Sequence, residues 1–334
     1  MPAAPLRCRQ CGASSLRNLG AIPASNLFAG QTLEPPWPGG HLLVCSGCHL
    51  GQRQPLRPPD EYERLYAAAS GWVWTRADLR GDQRRVRDRI EREAEGRDVL
   101  DIGCYDGTLL ASLSSRWRRH GIEPSADAAE IARGREVSVL GSSLEAFDRA
   151  DGAPVVDMPL PDGARRFDVI CAVDVVEHVP DPAGFMARMV RRLAPGGLLI
   201  VSTGDLGAPA WRAAGGAYWY CSFPEHMSFL SEAWLRQWSP RHGLRIEGLE
   251  RFAYDGASGI SHQWRFWRRV LRTRIQAGLR AILPSGQGRS KVRVLGEPGP
   301  FEDHLLVAMR CLRPGQQETP PARGRAPDAA DRRG

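Results

Sequence analysis

The stretch VLDIGCYDGTLL, residues 99–110, constrains the fold of this 334-residue chain more than any other. A buried-type strand ends at Gly103, and a helical pattern begins directly after Gly107. Glycines at such a turn let backbone N–H groups approach a ligand closely, because no Cβ atom intervenes. The spacing is Asp101-x-Gly103-x-x-x-Gly107, which differs from the G-x-G-x-x-G of dinucleotide-binding proteins. The turn therefore predicts a small-molecule site that is not a dinucleotide site.

Strand and helix patterns alternate through the chain on the C-terminal side of Arg97. The strand-like stretches are RDVLDIG, HGIEPS, RFDVICAVDVV and GGLLIVST, and helical stretches such as residues 107–120 separate them. This alternation predicts an α/β fold with a parallel sheet covered on both faces. Glu123 ends the second strand, where its carboxylate is placed to accept hydrogen bonds from ribose hydroxyls. An acid there fits an adenosine without a 2′-phosphate.

Composition shifts divide the chain into parts. The N-terminal part is rich in Pro and Gly and predicts a loop-dominated module, whereas the C-terminal end lacks the apolar residues that a core needs. The predicted parts are a module at 1–58, a helical linker at 59–96, an α/β domain at 97–312 with a basic helical insertion at 257–300, and a disordered tail at 313–334.

The composition is that of a globular protein in the cytoplasm. Apolar residues make up 42% and charged residues 25% of the chain, and no apolar run has the length of a membrane span or a signal segment. The formal charge of +7 comes almost entirely from arginine, with Lys291 the only lysine. Bulk charge of this origin is weak evidence for nucleic acid, and we expect a small-molecule partner.

Four of the eight cysteines form two C-x-x-C pairs, Cys8 with Cys11 and Cys45 with Cys48. In a protein of the cytoplasm, paired cysteines at this spacing indicate a metal site rather than disulfides. Four thiolates fit a tetrahedral Zn²⁺ and leave no open position, so the predicted zinc is structural. His41 and His49 lie nearby in the sequence but are not needed as ligands.

These motifs together resemble those of class I S-adenosylmethionine-dependent methyltransferases. Asp101, Gly103 and Gly107 match the first motif of that family, and Glu123 matches the acid after its second strand. Residues 167–182, which include Asp174, and residues 193–203 match its fourth- and fifth-strand blocks. The resemblance implies a Rossmann-like sheet of strand order 3-2-1-4-5-7-6 with an antiparallel seventh strand. It also implies S-adenosyl-L-methionine as cofactor, held by these residues.

The residue that contacts the adenine is left open between two positions. Leu144, after the third strand, is one candidate, and the pair Asp157 and Met158 is the other.

The N-terminal part resembles the zinc-binding domain of sugar C-methyltransferases. The resemblance is carried by LGAIPASNLF, by the second C-x-x-C pair and by IGCYDGTLL. It implies an acceptor that is a sugar nucleotide or a lipid-linked glycan intermediate. It also implies three catalytic candidates, His178 in VVEHVPDP and the adjacent Glu225 and His226 in FPEHMSFLS.

The chain departs from that family at its tyrosines. Phe223 stands where one tyrosine is usual, and the other falls in a stretch that offers Tyr66 slightly early and Trp72 or Trp74 near the expected place. We therefore expect direct methyl displacement, with His226 as base and Glu225 orienting it. Two alternatives are an RNA-directed methyltransferase with a zinc ribbon and a non-catalytic cofactor-binding homologue.

The basic segment 264–283 has apolar residues at helical spacing with arginines mostly elsewhere. The apolar residues are Trp264, Trp267, Leu271, Ile275 and Ile282. A surface helix docked on the core explains this pattern. Recognition of an anionic substrate or peripheral contact with an anionic membrane explains it as well.

Overall fold

The structure is a computed structural model of the chain. It describes residues 6–68, 78–152, 163–254, 262–272 and 301–313, together with positions 160 and 294. Several predictions fall outside the described residues, namely those for Trp72, Trp74, Asp157, Met158, Ile275, Ile282 and the tail beyond residue 313.

Seven strands form the central sheet. They are β6 (Asp98–Ile102), β7 (Arg118–Ile122), β8 (Ser138–Gly141), β9 (Phe167–Val173), β10 (Leu193–Gly204), β12 (Leu244–Ala253) and β13 (Glu302–Cys311). Their order is β12-β13-β10-β9-β6-β7-β8, which is 3-2-1-4-5-7-6 when the strands are counted from β6. The strands β8, β7, β6, β9 and β10 pair in parallel, and β13 is antiparallel to both of its neighbours. The fold is therefore the Rossmann-like α/β sheet that the motifs predicted.

Consecutive residues of the central strands are buried on opposite faces of the sheet. Leu100 and Ile170 belong to one core cluster, whereas Val99 and Val169 belong to the other. The helices α2 (Gly81–Glu93), α3 (Thr108–Ala111) and α4 (Ala126–Gly134) contribute to the second cluster. The helices α5 (Leu144–Ala150), α6 (Pro182–Arg191) and α8 (Glu232–Trp238) contribute to the first. None of the helices described is both long and apolar enough to traverse a bilayer.

Two details of the α/β domain differ from the sequence patterns. The helix expected over residues 107–120 is the single turn α3, because β7 begins at Arg118 to pair with Asp98 of β6. The short strand β8 has no clear sequence pattern, and its four residues are mostly half-buried at the sheet edge.

The N-terminal module contains more strands than a loop-dominated module would, so that expectation was wrong. It holds β1 (Leu16–Ile22), β2 (Ser25–Phe28), β3 (Gln31–Trp37), β4 (Gly40–Cys45) and β5 (Gly51–Gln54). The strands β1 and β3 escaped the sequence patterns because each buries a side chain only at its last residue, which hides the alternation of buried and exposed residues. The helix α1 (Pro59–Ala68) follows the module, and α7 (Pro209–Ala214) follows β10.

A strand from the α/β domain completes the sheet of the module. The strand β11 (Ser228–Phe229) pairs antiparallel with β5, giving the order β1-β4-β5-β11. Because β11 follows Glu225 and His226 directly, the module is joined to the segment that carries the predicted catalytic pair.

Candidate active site

The glycine turn lies at the edge where the parallel strands end. Gly103 and Gly107 both have left-handed backbones, with φ angles of 77° and 76°, which a side chain at these positions would strain. A Cβ atom at Gly103 would lie 2.7 Å from Val175 Cγ2, and one at Gly107 would lie 3.0 Å from Val137 Cγ2. The turn therefore needs glycine at both positions to close against the neighbouring loops.

Two predicted carboxylates flank this turn. Asp101 is buried at the end of β6, and burial raises the pKa of its carboxyl to about 7. Glu123 accepts hydrogen bonds from the backbone N–H groups of Tyr105 at 2.9 Å and Ser125 at 2.8 Å, one at each oxygen. Each oxygen keeps a second lone pair, so the carboxylate can still accept from two hydroxyls of a ligand.

Asp174 follows β9 with a left-handed φ of 53°, an uncommon conformation for a residue with a side chain. Its Oδ2 accepts a hydrogen bond from Arg80 Nη2 at 2.8 Å, while its buried Oδ1 has no hydrogen-bond partner among the described residues. Burial raises the pKa of this carboxyl to about 7. The free oxygen suits a donor group of a bound ligand.

Arg80 is a site residue that the sequence patterns did not identify. It immediately precedes α2, bridges Asp82 and Asp174, and places its guanidinium 5.7 Å from the ring centroid of Tyr254. Nothing in the sequence distinguishes it, because α2 itself contains five other arginines.

The two predicted histidines lie together, with ring centroids 4.9 Å apart. His226 Nδ1 lies 2.9 Å from the carbonyl oxygen of Tyr220, which can only accept a hydrogen bond. Nδ1 therefore carries the proton, and Nε2 keeps its lone pair in the neutral ring. Burial, reinforced by the neighbouring His178, lowers the pKa of His226 well below its usual value.

His178 is half-buried, and its Nδ1 lies 2.9 Å from the Tyr66 hydroxyl. Burial lowers the pKa of His178 as well. Tyr66 thus lies beside the histidine pair, although its position in the sequence placed it slightly early.

Glu225 lies in the same segment but does not orient His226 in the structure. Its Oε1 accepts a hydrogen bond from the backbone N–H of Ala29 at 3.0 Å, and no residue in the described part of the chain donates to its buried Oε2. The carbonyl of Tyr220, rather than Glu225, fixes the imidazole of His226. Glu225 therefore connects the site to the N-terminal module.

Glu177 is a second acid that the patterns missed, although it precedes His178. It is fully buried and accepts hydrogen bonds from Tyr220 Oη at 2.5 Å and Thr203 Oγ1 at 2.9 Å. Its two oxygens link the end of β10 to the segment before His226. Glu177, His178 and His226 also place ligand atoms within 4.8 Å of one another.

A third histidine lies at the same sheet edge, at the start of β13. His304 Nδ1 lies 2.8 Å from Asp303 Oδ1, and its buried Nε2 has no hydrogen-bond partner within the ranges that the structure describes. Asp303 Oδ2 also accepts from Tyr218 Oη at 2.5 Å and Trp219 Nε1 at 3.0 Å. Burial acts to lower the pKa of His304, but Asp303 outweighs it and raises that pKa. The adjacent acid and imidazole in FEDHLL were the signal that could have found this pair.

Arg53 of β5 holds the segment before His226 in place. Its guanidinium is buried and donates to three backbone carbonyls, those of Cys221 at 2.5 Å, Phe223 at 2.7 Å and His226 at 2.9 Å. Hydrogen bonds from a charged donor are stronger than those between neutral groups. A single side chain of the module thus fixes the backbone around the catalytic candidate.

The four paired cysteines converge as predicted from their spacing. Their Sγ atoms lie within 4.8 Å of one another, with 3.5 Å between Cys8 and Cys48 and 3.5 Å between Cys11 and Cys45. A tetrahedral zinc site with Zn–S bonds of about 2.3 Å requires S–S separations of about 3.8 Å. The cluster therefore has the size and chemistry of a four-thiolate metal site.

A comparison with protein families identifies most of this architecture. Residues 76–249 match a family model described as "Methyltransferase domain". The match covers more than half of the chain and includes the glycine turn, Glu123, Asp174 and the histidine pair.

Similar proteins with curated names include the ubiquinone biosynthesis O-methyltransferase of Methylococcus capsulatus. It is 30% identical over 178 residues, which are 50% of this chain and 71% of that protein. The protein of the same name from Alkalilimnicola ehrlichii is 28% identical over 216 residues, 58% of this chain and 82% of that protein.

Among solved structures, one similar protein is a methyltransferase from Thermotoga maritima described as a possible histamine N-methyltransferase. It is 22% identical, and the alignment covers 75% of this chain and 95% of that one with a TM-score of 0.42. A TM-score below 0.5 supports no conclusion about function.

The prediction of a sugar or glycan acceptor is wrong in the light of these relatives. Several of them, including those from Xylella fastidiosa and Coxiella burnetii, carry the name ubiquinone biosynthesis O-methyltransferase. The sugar prediction depended on the N-terminal module and on the Glu225–His226 pair, which describe the scaffold around the acceptor rather than the acceptor itself.

Proposed function

The chain belongs to the methyltransferase-domain family and is an S-adenosylmethionine-dependent methyltransferase, and we propose that it methylates a hydroxyl oxygen on an aromatic ring. The family match and the names of the relatives support a catalytic protein over a non-catalytic homologue. The names of the relatives support an acceptor of the quinone-pathway type. One geometric observation carries the proposal, namely the neutral imidazole of His226 held by the Tyr220 carbonyl among aromatic rings.

The residues around the glycine turn fit S-adenosylmethionine, which supplies a sulfonium methyl group when bound. Glu123 has free lone pairs for the ribose hydroxyls. The buried Asp174 Oδ1 lacks a partner and suits the ammonium group of the methionine part. Asp101, Gly103 and Gly107 complete the proposed binding set.

The proposed role of His226 is to accept the acceptor's proton at Nε2. Nε2 of His226 would take up the hydroxyl proton, so that the hydroxyl oxygen could accept the sulfonium methyl group that bound S-adenosylmethionine would supply. The lowered pKa of His226 keeps the ring neutral at physiological pH, so that Nε2 has a lone pair with which to accept the proton.

Aromatic side chains around the histidine pair support an aromatic acceptor. The Tyr220 ring centroid lies 4.2 Å from that of His226, and the Phe223 centroid lies 5.1 Å away. Tyr66 contacts the neighbouring His178. Rings in such positions favour a flat apolar acceptor through edge and face contacts.

Measuring S-adenosylhomocysteine formation with catechol and hydroquinone derivatives tests the proposal. We expect turnover by the wild-type protein and a loss of about a hundredfold or more in kcat for His226→Ala, since general bases contribute at least that much. The affinity for S-adenosylmethionine, measured by calorimetry, should stay unchanged in this variant. His41→Ala, which changes an exposed histidine of the module, is the matched control.

Two results would contradict the proposal. One is a wild-type protein that binds S-adenosylmethionine but methylates none of the aromatic hydroxyls. The other is His226→Ala with the turnover of the His41→Ala control.

The four-cysteine cluster supports a second part of the proposal, a structural Zn²⁺ in the N-terminal module. The separations of the four Sγ atoms fit a tetrahedral site without an open ligand position. Elemental analysis of protein purified without chelators should find one zinc per chain. Replacing Cys11 and Cys45 by serine should remove it, whereas replacing Cys104 and Cys171, which are remote from the cluster in sequence, should not. Zinc-free wild-type protein would refute this part.

A further inference from the structure

The described part of the basic segment is a helix that is attached to the protein by one face. Residues 262–272 are helical, and Phe266 and Val270 of this helix are buried. The Phe266 ring centroid lies 4.7 Å from that of Phe301 and 6.2 Å from that of Tyr218. These contacts fix the helix on the aromatic cluster that continues to Tyr220.

A second band of the same helix exposes large apolar side chains. Trp264 is 63% exposed, Trp267 43% and Leu271 60%. Their spacing of i, i+3 and i+7 places them along one line of an α-helix, away from the buried Phe266 and Val270. Three such residues on one short element form a continuous apolar band, unlike the single exposed apolar residues common on protein surfaces.

Arginines lie on the other side of the outward face. Arg265, Arg268 and Arg272 are exposed, and the Arg268 guanidinium carbon lies 5.2 Å from the ring centroid of Trp264. Residues 262–272 contain no acidic residue. The outward face of the helix is therefore half apolar and half cationic.

We propose that this helix docks the protein on an anionic membrane surface. Trp264, Trp267 and Leu271 enter the boundary between the headgroups and the acyl chains. Arg265, Arg268 and Arg272 bind the lipid phosphates beside them, since tryptophan and arginine both favour this interface.

The apolar band favours a bilayer over a nucleic acid. A nucleic acid would bind the arginines through its phosphates. It has no apolar layer, so it would leave the side chain of Leu271 exposed to water. A bilayer takes up both bands at once. This inference does not depend on the acceptor of the methyl group.

Co-sedimentation of the full-length protein with lipid vesicles tests the proposal. We expect the protein to pellet with phosphatidylcholine vesicles that contain phosphatidylglycerol, and to pellet much less with phosphatidylcholine alone. Adding salt to about 0.5 M should weaken binding without abolishing it, because screening reduces the ionic part only.

Two sets of variants separate the apolar and the ionic part. The triple variant Trp264→Ser, Trp267→Ser, Leu271→Ser and the double variant Arg268→Glu, Arg272→Glu should each lower the vesicle affinity by about tenfold or more. Ile131→Ser, at a position 48% exposed on α4, is the control for the first. Arg92→Glu, whose side chain is 66% exposed on α2, is the control for the second. Calorimetric binding of S-adenosylhomocysteine verifies that each variant is folded.

Wild-type protein that stays in the supernatant with anionic vesicles at low salt would overturn the proposal. A triple variant that binds these vesicles as well as Ile131→Ser does would also overturn it. Binding to RNA that equals vesicle binding and is unchanged in the triple variant would assign the arginines to nucleic acid instead.

Discussion

His226 combines two features that a base needs, a fixed tautomer and a lowered pKa. The Tyr220 carbonyl accepts from Nδ1, so that only Nε2 is available for a proton. Burial and the neighbouring His178 disfavour the charged imidazole, which lowers the pKa of His226 below its usual value of 6.5. The neutral ring is therefore the dominant form at physiological pH.

This lowered pKa predicts the pH dependence of catalysis. Protonation of His226 removes the base, so kcat should fall on the acidic side with an apparent pKa below 6.5 and should be level just above that value. Measuring kcat against pH at saturating cofactor and acceptor checks this. An acidic limb centred above 6.5 would show that another group controls the rate.

The buried carboxylate of Asp303 accepts hydrogen bonds from three side chains, those of Tyr218, Trp219 and His304. Removing the charge by Asp303→Asn should cost about 3–5 kcal/mol of unfolding free energy, as for other broken buried pairs. The raised pKa of His304 gives this cost a pH dependence. The stabilisation that comes from the charged His304 beside Asp303 is complete below the pKa of the unfolded state, about 6.5. It is lost as the pH rises through the pKa of His304 in the folded state.

The cost of Asp303→Asn should therefore be larger at a pH of about 6 than at a pH of about 9. Urea unfolding of wild type and variant at both values measures it. Asp78→Asn, at an exposed position, is the matched control and should change the stability little at either pH. A cost that is equal at both values would mean that His304 does not titrate with Asp303.

Sequence patterns identified those site residues whose role is indicated by their immediate neighbours in the sequence. Gly103 and Gly107 were recognised because glycine lets the backbone approach a ligand at a strand–turn–helix, and Glu225 and His226 were recognised because they are adjacent, although the equally adjacent Asp303 and His304 were overlooked. Arg53 and Arg80 could not be recognised, because Arg53 acts on carbonyls remote in sequence and Arg80 reaches the site through Asp174, 94 positions away. Arg53 binds carbonyls about 170 positions away, with separations of 168, 170 and 173.

At the level of elements, β5 and β11 connect the module to the catalytic segment. Gln52 and Gly51 of β5 pair with Ser228 and Phe229 of β11. Arg53, the next residue of β5, binds the carbonyls of Cys221 and Phe223 on the other side of His226. The strand β5 thus holds the segment that carries His226 from both sides, and other residues of the module add further hydrogen bonds to it.

Arg53→Met should therefore affect catalysis more than cofactor binding. Methionine keeps an apolar stem but leaves three carbonyls without their charged donor, each such bond contributing about 1.5–3 kcal/mol. We expect kcat to fall at least about tenfold, since small displacements of a base are costly. The affinity for S-adenosylmethionine should be retained, because its proposed ligands lie on other loops.

Arg53→Lys should recover part of the loss, since an ammonium reaches fewer carbonyls than a guanidinium. Arg17→Met, at an exposed position of β1, is the control. Equal losses of kcat and of cofactor affinity in Arg53→Met would indicate general unfolding rather than a positioning role.

The elements of the central sheet were more predictable than those of the module. The strands β6, β9 and β10 are buried runs of apolar residues, which the sequence displays directly. The strand β3 contains two prolines and mostly exposed residues, so neither its pattern nor its composition indicates a strand. Its existence depends on pairing with β2, a contact that local sequence does not specify.

At the scale of the whole molecule, a few direct hydrogen bonds link the four-cysteine cluster to the segment around His226. Arg9, between Cys8 and Cys11, donates from Nη2 to the Met227 carbonyl at 2.6 Å. It also donates to Ser228 Oγ at 3.3 Å, and its backbone N–H donates to Gln52 at 3.0 Å. The first cysteine knuckle therefore contacts β11 and β5 directly.

Metal removal should consequently disturb the segment around His226 before it disturbs the cofactor site. A short module depends on its metal for stability, so the strand pairing between β5 and β11 should weaken when the proposed zinc is removed by a chelator. Amide hydrogen exchange should then increase at Ser228 and Phe229 and at Arg53, whose N–H donates to the Met227 carbonyl, while the amides of β6 and β9 stay protected in the core of the sheet. The affinity for S-adenosylhomocysteine should change less than kcat does.

Restoring zinc should reverse the increase in exchange, whereas Mg²⁺, which prefers oxygen ligands, should not. Faster exchange that is uniform over both sheets would instead mean that the module and the methyltransferase domain unfold as one unit.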